Sequence, residues 1–200
     1  MHTGSSQSGF SLIELLVSMT IFSVVVTMAT GTLLVLLDAN NKAQNMQAIM
    51  NDLTIAIDSM TREVRTGYNY VCGSESSAPS GVDSVGDTND CASGNYLSVV
   101  EAGNSLTAGG NPRISYFYDD SPGTMAIFRR IGTGSWMQLT ARNLRITAAE
   151  FVVTGTDTSS SGDGQQPSVT IYVAGEAGNL IGLESDFELQ TTVVQRPIDL

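Results

Sequence analysis

Between Leu15 and Leu37 the chain carries no ionisable side chain: LLVSMTIFSVVVTMATGTLLVLL, 23 residues. In a helix this run spans about 35 Å at about 1.5 Å per residue, enough to cross a hydrocarbon core of about 30 Å. A buried helix of a soluble core seldom stays uncharged for so long, so the run reads as a membrane span. That reading sets the architecture: a membrane-spanning helix near the N-terminus, with the remaining chain on one side of it.

Composition removes much of ordinary enzymology. The 200 residues correspond to one domain with an appendage. Twenty Asp and Glu against nine Lys and Arg give a net charge of −11, so no nucleic-acid partner is expected, because that grip needs clustered cations. The single histidine is His2, which excludes imidazole triads and His-ligated metals beyond the N-terminal end. Two cysteines alone do not make a structural zinc site.

The span has an acid at its N-terminal edge, Glu14, and no Lys or Arg anywhere in residues 1–41. An unpaired acid near the membrane interior is costly and points to a function and a partner. The junction before it reads Gln7-Ser8-Gly9-Phe10-Ser11-Leu12-Ile13-Glu14. Cleavage after Gly9 would give Phe10 a free ammonium group one helical turn from Glu14, in the same chain or a neighbour.

Gly9-Phe10-Ser-Leu-Ile-Glu14-Leu-Leu, followed by the apolar run, resembles the class III signal of type IV pilins and type II secretion pseudopilins. The resemblance covers residues 9–37 directly. It implies that a prepilin peptidase cuts after Gly9 and methylates Phe10. It also implies that Glu14 neutralises the amine of an adjacent subunit as a fibre assembles on a membrane assembly platform. The family's leader usually carries Lys or Arg, which this one lacks, so orientation rests on the resemblance and not on the positive-inside rule. An ordinary secretory signal with Thr27-Met28-Ala29 as its small-residue site is the competing reading.

After Asp38, Met46, Ile49, Met50, Leu53, Ile57, Met60 and Val64 recur at three- and four-residue spacings, an apolar stripe on a helix. Asp58 and Arg62 form an i,i+4 pair off that stripe. Gly67 reads as the helix stop, so residues 11–66 are expected as one helix. The stripe either packs on the chain's own C-terminal domain or forms an adaptable Met-rich groove. Gly31, flanked by Thr30 and Thr32, weakens the helix at membrane depth; in the resembling family such a breaker lets the segment loosen, and simple tolerance is the alternative.

The remaining chain is β-rich. Residues 68–95 form a Gly/Ser/Asp-rich stretch holding Cys72 and Cys91, read as one disulfide of an extracytoplasmic domain, with two free thiols as the alternative. Strands are expected at 96–100, 113–118, 125–131, 136–140, 146–153, 169–174 and 187–194, with Asp119-Asp120-Ser121-Pro122-Gly123 as a hairpin loop. The predicted fold is α+β, an antiparallel sheet packed on the amphipathic half of the helix. The predicted divisions are a leader at 1–9, an assembly helix at 10–37, an amphipathic half at 38–67 and a pilin-like domain at 68–200, with the disulfide loop at 72–91.

IFRRIGTGSWMQLT, the Gln166-Pro167 step and the terminal LQTTVVQRP resemble J-type minor pseudopilins and W-type minor pilins. That branch implies a place at or near the fibre tip in assembly initiation. No cofactor is expected; Asp83, Asp87 and Asp90 are a candidate for calcium. Asp119-Asp120 reads as turn chemistry and not as a catalytic acid pair. Arg129, Arg130, Arg142 and Arg145 read as a local basic patch. The functional expectation is a non-enzymatic fibre subunit, single-pass in the cytoplasmic membrane before assembly into a pilus or pseudopilus. The alternative is a signal-anchored extracytoplasmic adhesion domain that joins no fibre.

Overall fold

The computed structural model describes residues 9–74, 88–103, 113–142, 144–156, 165–177 and 185–196. They divide into two units, Met1–Gln44 and Asn45–Leu200. Helix α1, Leu12–Thr66, contributes to both.

In the first unit every helical position through residue 41 is exposed, and the apolar side chains from Leu12 to Leu37 have no intramolecular cover. The helix is long and apolar enough to cross a membrane. Its hydroxyls turn back onto the preceding turn: Thr20 donates to the Val17 carbonyl, Thr27 to Ser23, Thr30 to Val26 and Thr32 to Met28, all at 2.8–2.9 Å. Those bonds satisfy polar groups that hydrocarbon cannot. The helix runs unbroken through Gly31.

Among its described residues the second unit contains nine strands: β1 Tyr68–Gly73, β2 Cys91–Gly94, β3 Tyr96–Val100, β4 Arg113–Asp119, β5 Ala126–Ile131, β6 Met137–Gln138, β7 Leu144–Thr154, β8 Ser168–Ala177 and β9 Ser185–Val194. They form two antiparallel sheets, β1-β3-β4-β5-β6 and β2-β7-β8-β9, where the sequence suggested one. The division occurs at Asn95: β2 pairs with β7, and β3, one residue later, pairs with β1 and β4. β1 and β2 fall inside the Gly/Ser/Asp-rich stretch at 68–95, outside every strand expected from sequence. The expected strand at 136–140 contracts to the two residues of β6.

The apolar stripe of α1 packs into this unit. Ile49, Leu53, Ile57, Met60 and Val64 are buried, and Met46 and Met50 lie against the same core. They meet Leu97 and Val99 of β3, Ile114 and Tyr116 of β4, Phe151 and Val153 of β7, and Ile171 and Val173 of β8. Each fully buried side chain of this size contributes about 1.5–3 kcal/mol. Along β7 the buried positions change phase, from Leu144 and Ile146 to Ala149, Phe151 and Val153, at a register shift between Ile146 and Ala148. One extra residue there keeps both halves of the strand facing the core.

The helix ends where the sequence suggested, for a different reason. Gly67 donates to the Glu63 carbonyl at 3.0 Å but does not have a left-handed φ. Glycine is required because a Cβ would overlap the Val99 side chain and approach the Val100 carbonyl to 2.9 Å. The last helical carbonyls find donors in the second unit. The buried Tyr70 hydroxyl lies 2.8 Å from the Val64 carbonyl and 2.9 Å from that of Gly67, and the Arg196 N–H donates to the Arg65 carbonyl at 2.8 Å.

Candidate functional site

At the N-terminal site, Ser11 begins the helix: its carbonyl accepts from the N–H groups of Glu14 (3.1 Å) and Leu15 (3.2 Å). Gly9 and Phe10 precede the helix in non-helical backbone, and Phe10 is 84 % exposed. A Cβ on Gly9 would meet nothing within 4 Å. The Gly9–Phe10 bond is therefore exposed among the described residues, with the helix starting just beyond it. Glu14 occupies the first turn, where the positive end of the helix dipole favours a carboxylate. Among the described residues it has no hydrogen bond or ion pair through its side chain. The geometry places the exposed Gly9–Phe10 bond and an acid with no side-chain partner among the described residues within about one helical turn, ahead of an apolar surface with no cover.

The two cysteines are joined, with Cα atoms 5.6 Å apart. The bond does more than close a loop: Cys72 lies on β1, at the edge of one sheet, and Cys91 on β2, at the edge of the other. Gly94 makes room at this junction, since a Cβ there would lie 2.6 Å from the Gly73 carbonyl and 3.0 Å from the Cys72 Sγ. The Asn89 side chain accepts from the Cys72 N–H at 3.1 Å and donates back to its carbonyl.

Of the calcium candidates, Asp83 and Asp87 lie outside the described residues. Both oxygens of Asp90 accept hydrogen bonds: Oδ2 from the Gly155 N–H (3.1 Å), and Oδ1 from the Thr156 N–H (2.9 Å) and hydroxyl (2.7 Å). Burial raises the Asp90 carboxyl pKa, but these donors outweigh it and hold the group below its ordinary value. Asp90 thus ties the approach to β2 onto the end of β7. No group of three metal-ligating side chains occurs among the described residues.

The expected basic patch loses Arg129, because neighbouring strand residues point to opposite faces. Arg129 turns inward and clasps Glu63 of α1, Nη2 to Oε1 at 2.6 Å and Nε to Oε2 at 3.0 Å. The buried Tyr116 hydroxyl donates to the same Oε2. Glu63 raises the Arg129 pKa first by hydrogen bonding, with burial opposing. Arg130 turns outward and stacks over Trp136, 4.4 Å from the ring centroid. Arg145 pairs with Glu176 at 3.0 Å, and Arg142 is exposed. Glu63 carried no sequence signal beyond its place beside Val64 at the edge of the stripe. Asp119 is turn chemistry, its Oδ1 accepting from the Ser121 N–H at 2.9 Å ahead of Gly123 at φ +96°.

Comparison with known protein families identifies a prokaryotic N-terminal methylation motif over residues 4–30. No curated protein and no solved structure is significantly similar to the chain. The match covers Gly9, Phe10, Glu14 and most of the uncharged run. The chain therefore carries the prokaryotic N-terminal methylation motif, a type IV pilin-like prepilin signal, ahead of an α+β pilin-like layout.

Proposed function

We propose that the chain is a structural, non-catalytic fibre subunit, a minor pilin or pseudopilin. It is held in the cytoplasmic membrane by its apolar helix, with residues 68–200 on the extracytoplasmic side. A prepilin peptidase cuts it after Gly9 and methylates Phe10, and a membrane assembly platform draws it into the fibre beside other pilin subunits. The J-type and W-type resemblance of its strand and tail motifs supports a position at or near the tip.

The conjunction at residues 9–14 carries this reading: a reachable Gly9–Phe10 bond followed by Glu14, an acid with no side-chain partner at the head of an uncovered apolar helix. In the fibre, the apolar helices associate by packing. A subunit set at the wrong height would leave Glu14 buried and uncompensated, which is costly; a correctly set one meets the amine of a neighbour's Phe10.

Glu14→Gln tests this. With the chain expressed alongside a prepilin peptidase and its assembly machinery, the variant is expected to be processed normally. Its recovery in sheared fibres should fall about tenfold or more, the size of effect that one unpaired buried charge gives. Wild-type recovery of Glu14→Gln in fibres would overturn the proposal.

A further inference from the structure

The outward face of the first sheet carries aromatic side chains and acids that neither the core nor the N-terminal site uses. Phe117 of β4 and Phe128 of β5 are direct cross-strand partners. Trp136 lies over them, its ring centroid 5.8 Å from that of Phe117 at 50°. With Asp119 at the end of β4 and Asp120 just after it, they line an open cavity of about 460 Å³. All three rings are half-buried, so apolar surface faces the opening.

A second cavity, of about 350 Å³, adjoins the first: Asn95 and Asp120 line both. It adds the Glu150 carboxylate and the Tyr172 ring. Among the described residues lining the two cavities there is no Lys or Arg, while three are carboxylates. Asp120 makes no hydrogen bond or ion pair among the described residues. Aromatic faces attract cations through the ring quadrupole, and carboxylates with low-dielectric walls concentrate positive charge. The environment already shows this chemistry once, in the guanidinium of Arg130 stacked on Trp136. A neutral sugar would use the rings but has no need of three carboxylates.

We propose that this paired cavity is a binding site for an organic cation of the alkylammonium or guanidinium type, either a free small molecule or a Lys or Arg side chain of a partner protein. The site lies wholly in the second unit and stands whether or not the N-terminus is processed.

Trp136 is the single tryptophan of the chain, so its fluorescence reports on the site directly. The full-length chain in neutral detergent would be titrated with tetramethylammonium, with a short Arg-containing peptide of neutral flanks, and with glucose. The expected result is a saturable change in Trp136 emission with one or both cations, weakened by added NaCl, and none with glucose. A response to tetramethylammonium assigns a free cation; a response to the peptide alone assigns a partner side chain. Asp120→Asn, and Asp120→Asn with Glu150→Gln, should each weaken binding, by about fivefold or more for the pair. An unchanged far-UV spectrum would show that these variants fold. Glucose binding, no response to either cation, or a response indifferent to both substitutions would overturn the proposal.

Discussion

The Glu63 carboxylate sits between the side chains of Arg129 and Tyr116. The pair is largely buried, at 18 % and 21 % side-chain exposure, and its geometry is bidentate, the strong form of such a contact. Glu63→Ala leaves a guanidinium in a half-dry site and is expected to cost about 2 kcal/mol, a discounted figure for a pair that retains some solvent. The double variant with Arg129→Met should cost less than the sum of the two single changes, a coupling that urea unfolding of all four proteins would read. By contrast Asp58–Arg62, at 3.5 Å with both side chains mostly exposed, is a surface pair of little weight.

Asp90 makes a pH prediction. Its carboxyl is held below the ordinary 3.8, so the folded state prefers the ionised form. The contribution to stability is complete above about pH 4 and is lost as pH falls through the depressed value. The wild-type loss of urea midpoint between about pH 6 and pH 3 should therefore exceed that of Asp90→Asn. Equal losses would show that Asp90 does not report folding in acid.

Among the elements, β1 and β2 depend most on a covalent tie. Each is an edge strand of a different sheet, and the Cys72–Cys91 bond joins them across 19 residues of sequence. Cys72→Ser with Cys91→Ser is expected to lower stability by about 3 kcal/mol in the chain-entropy model. Hydrogen exchange should rise first in β1 and β2, and uniform loosening of all nine strands would contradict this.

These are also the elements that sequence reading missed. Cys91-Ala-Ser-Gly94 has neither alternation nor β-branched residues, and β1 follows directly on Gly67. Both form because the disulfide, Asn89 and Asp90 hold them, and such long-range constraints leave no periodicity behind. The helix stripe, β8 and β9 were legible because burial alternates there with the period of the element, and β3 and β4, buried along most of their length, because each is a short apolar or aromatic run. The partnership of Glu63 with Arg129 was not, since 66 residues separate them. Trp136 was read as strand, whereas it lies just before β6 and forms a wall of the outward cavity.

For the whole molecule, the two units place opposite demands on their surroundings. The described residues from Asn45 onward gather most of their large apolar side chains into one core, while the helix before them buries none of the large apolar residues from Leu12 to Leu37. An apolar surface of that extent on a soluble protein marks an interface with a membrane or another chain. The methylation motif at residues 4–30 fits a membrane-anchored, type IV pilin-like protein. On the proposed function, lipid covers this surface first and neighbouring helices later, and cleavage after Gly9 supplies the cation that pairs with Glu14. The most direct measurement is the mature N-terminus, read by intact-mass and N-terminal peptide mass spectrometry after co-expression with a prepilin peptidase. The account predicts a chain that begins at Phe10 and carries one methyl group on its amine; a chain that keeps Met1, or begins near Thr30, would contradict it.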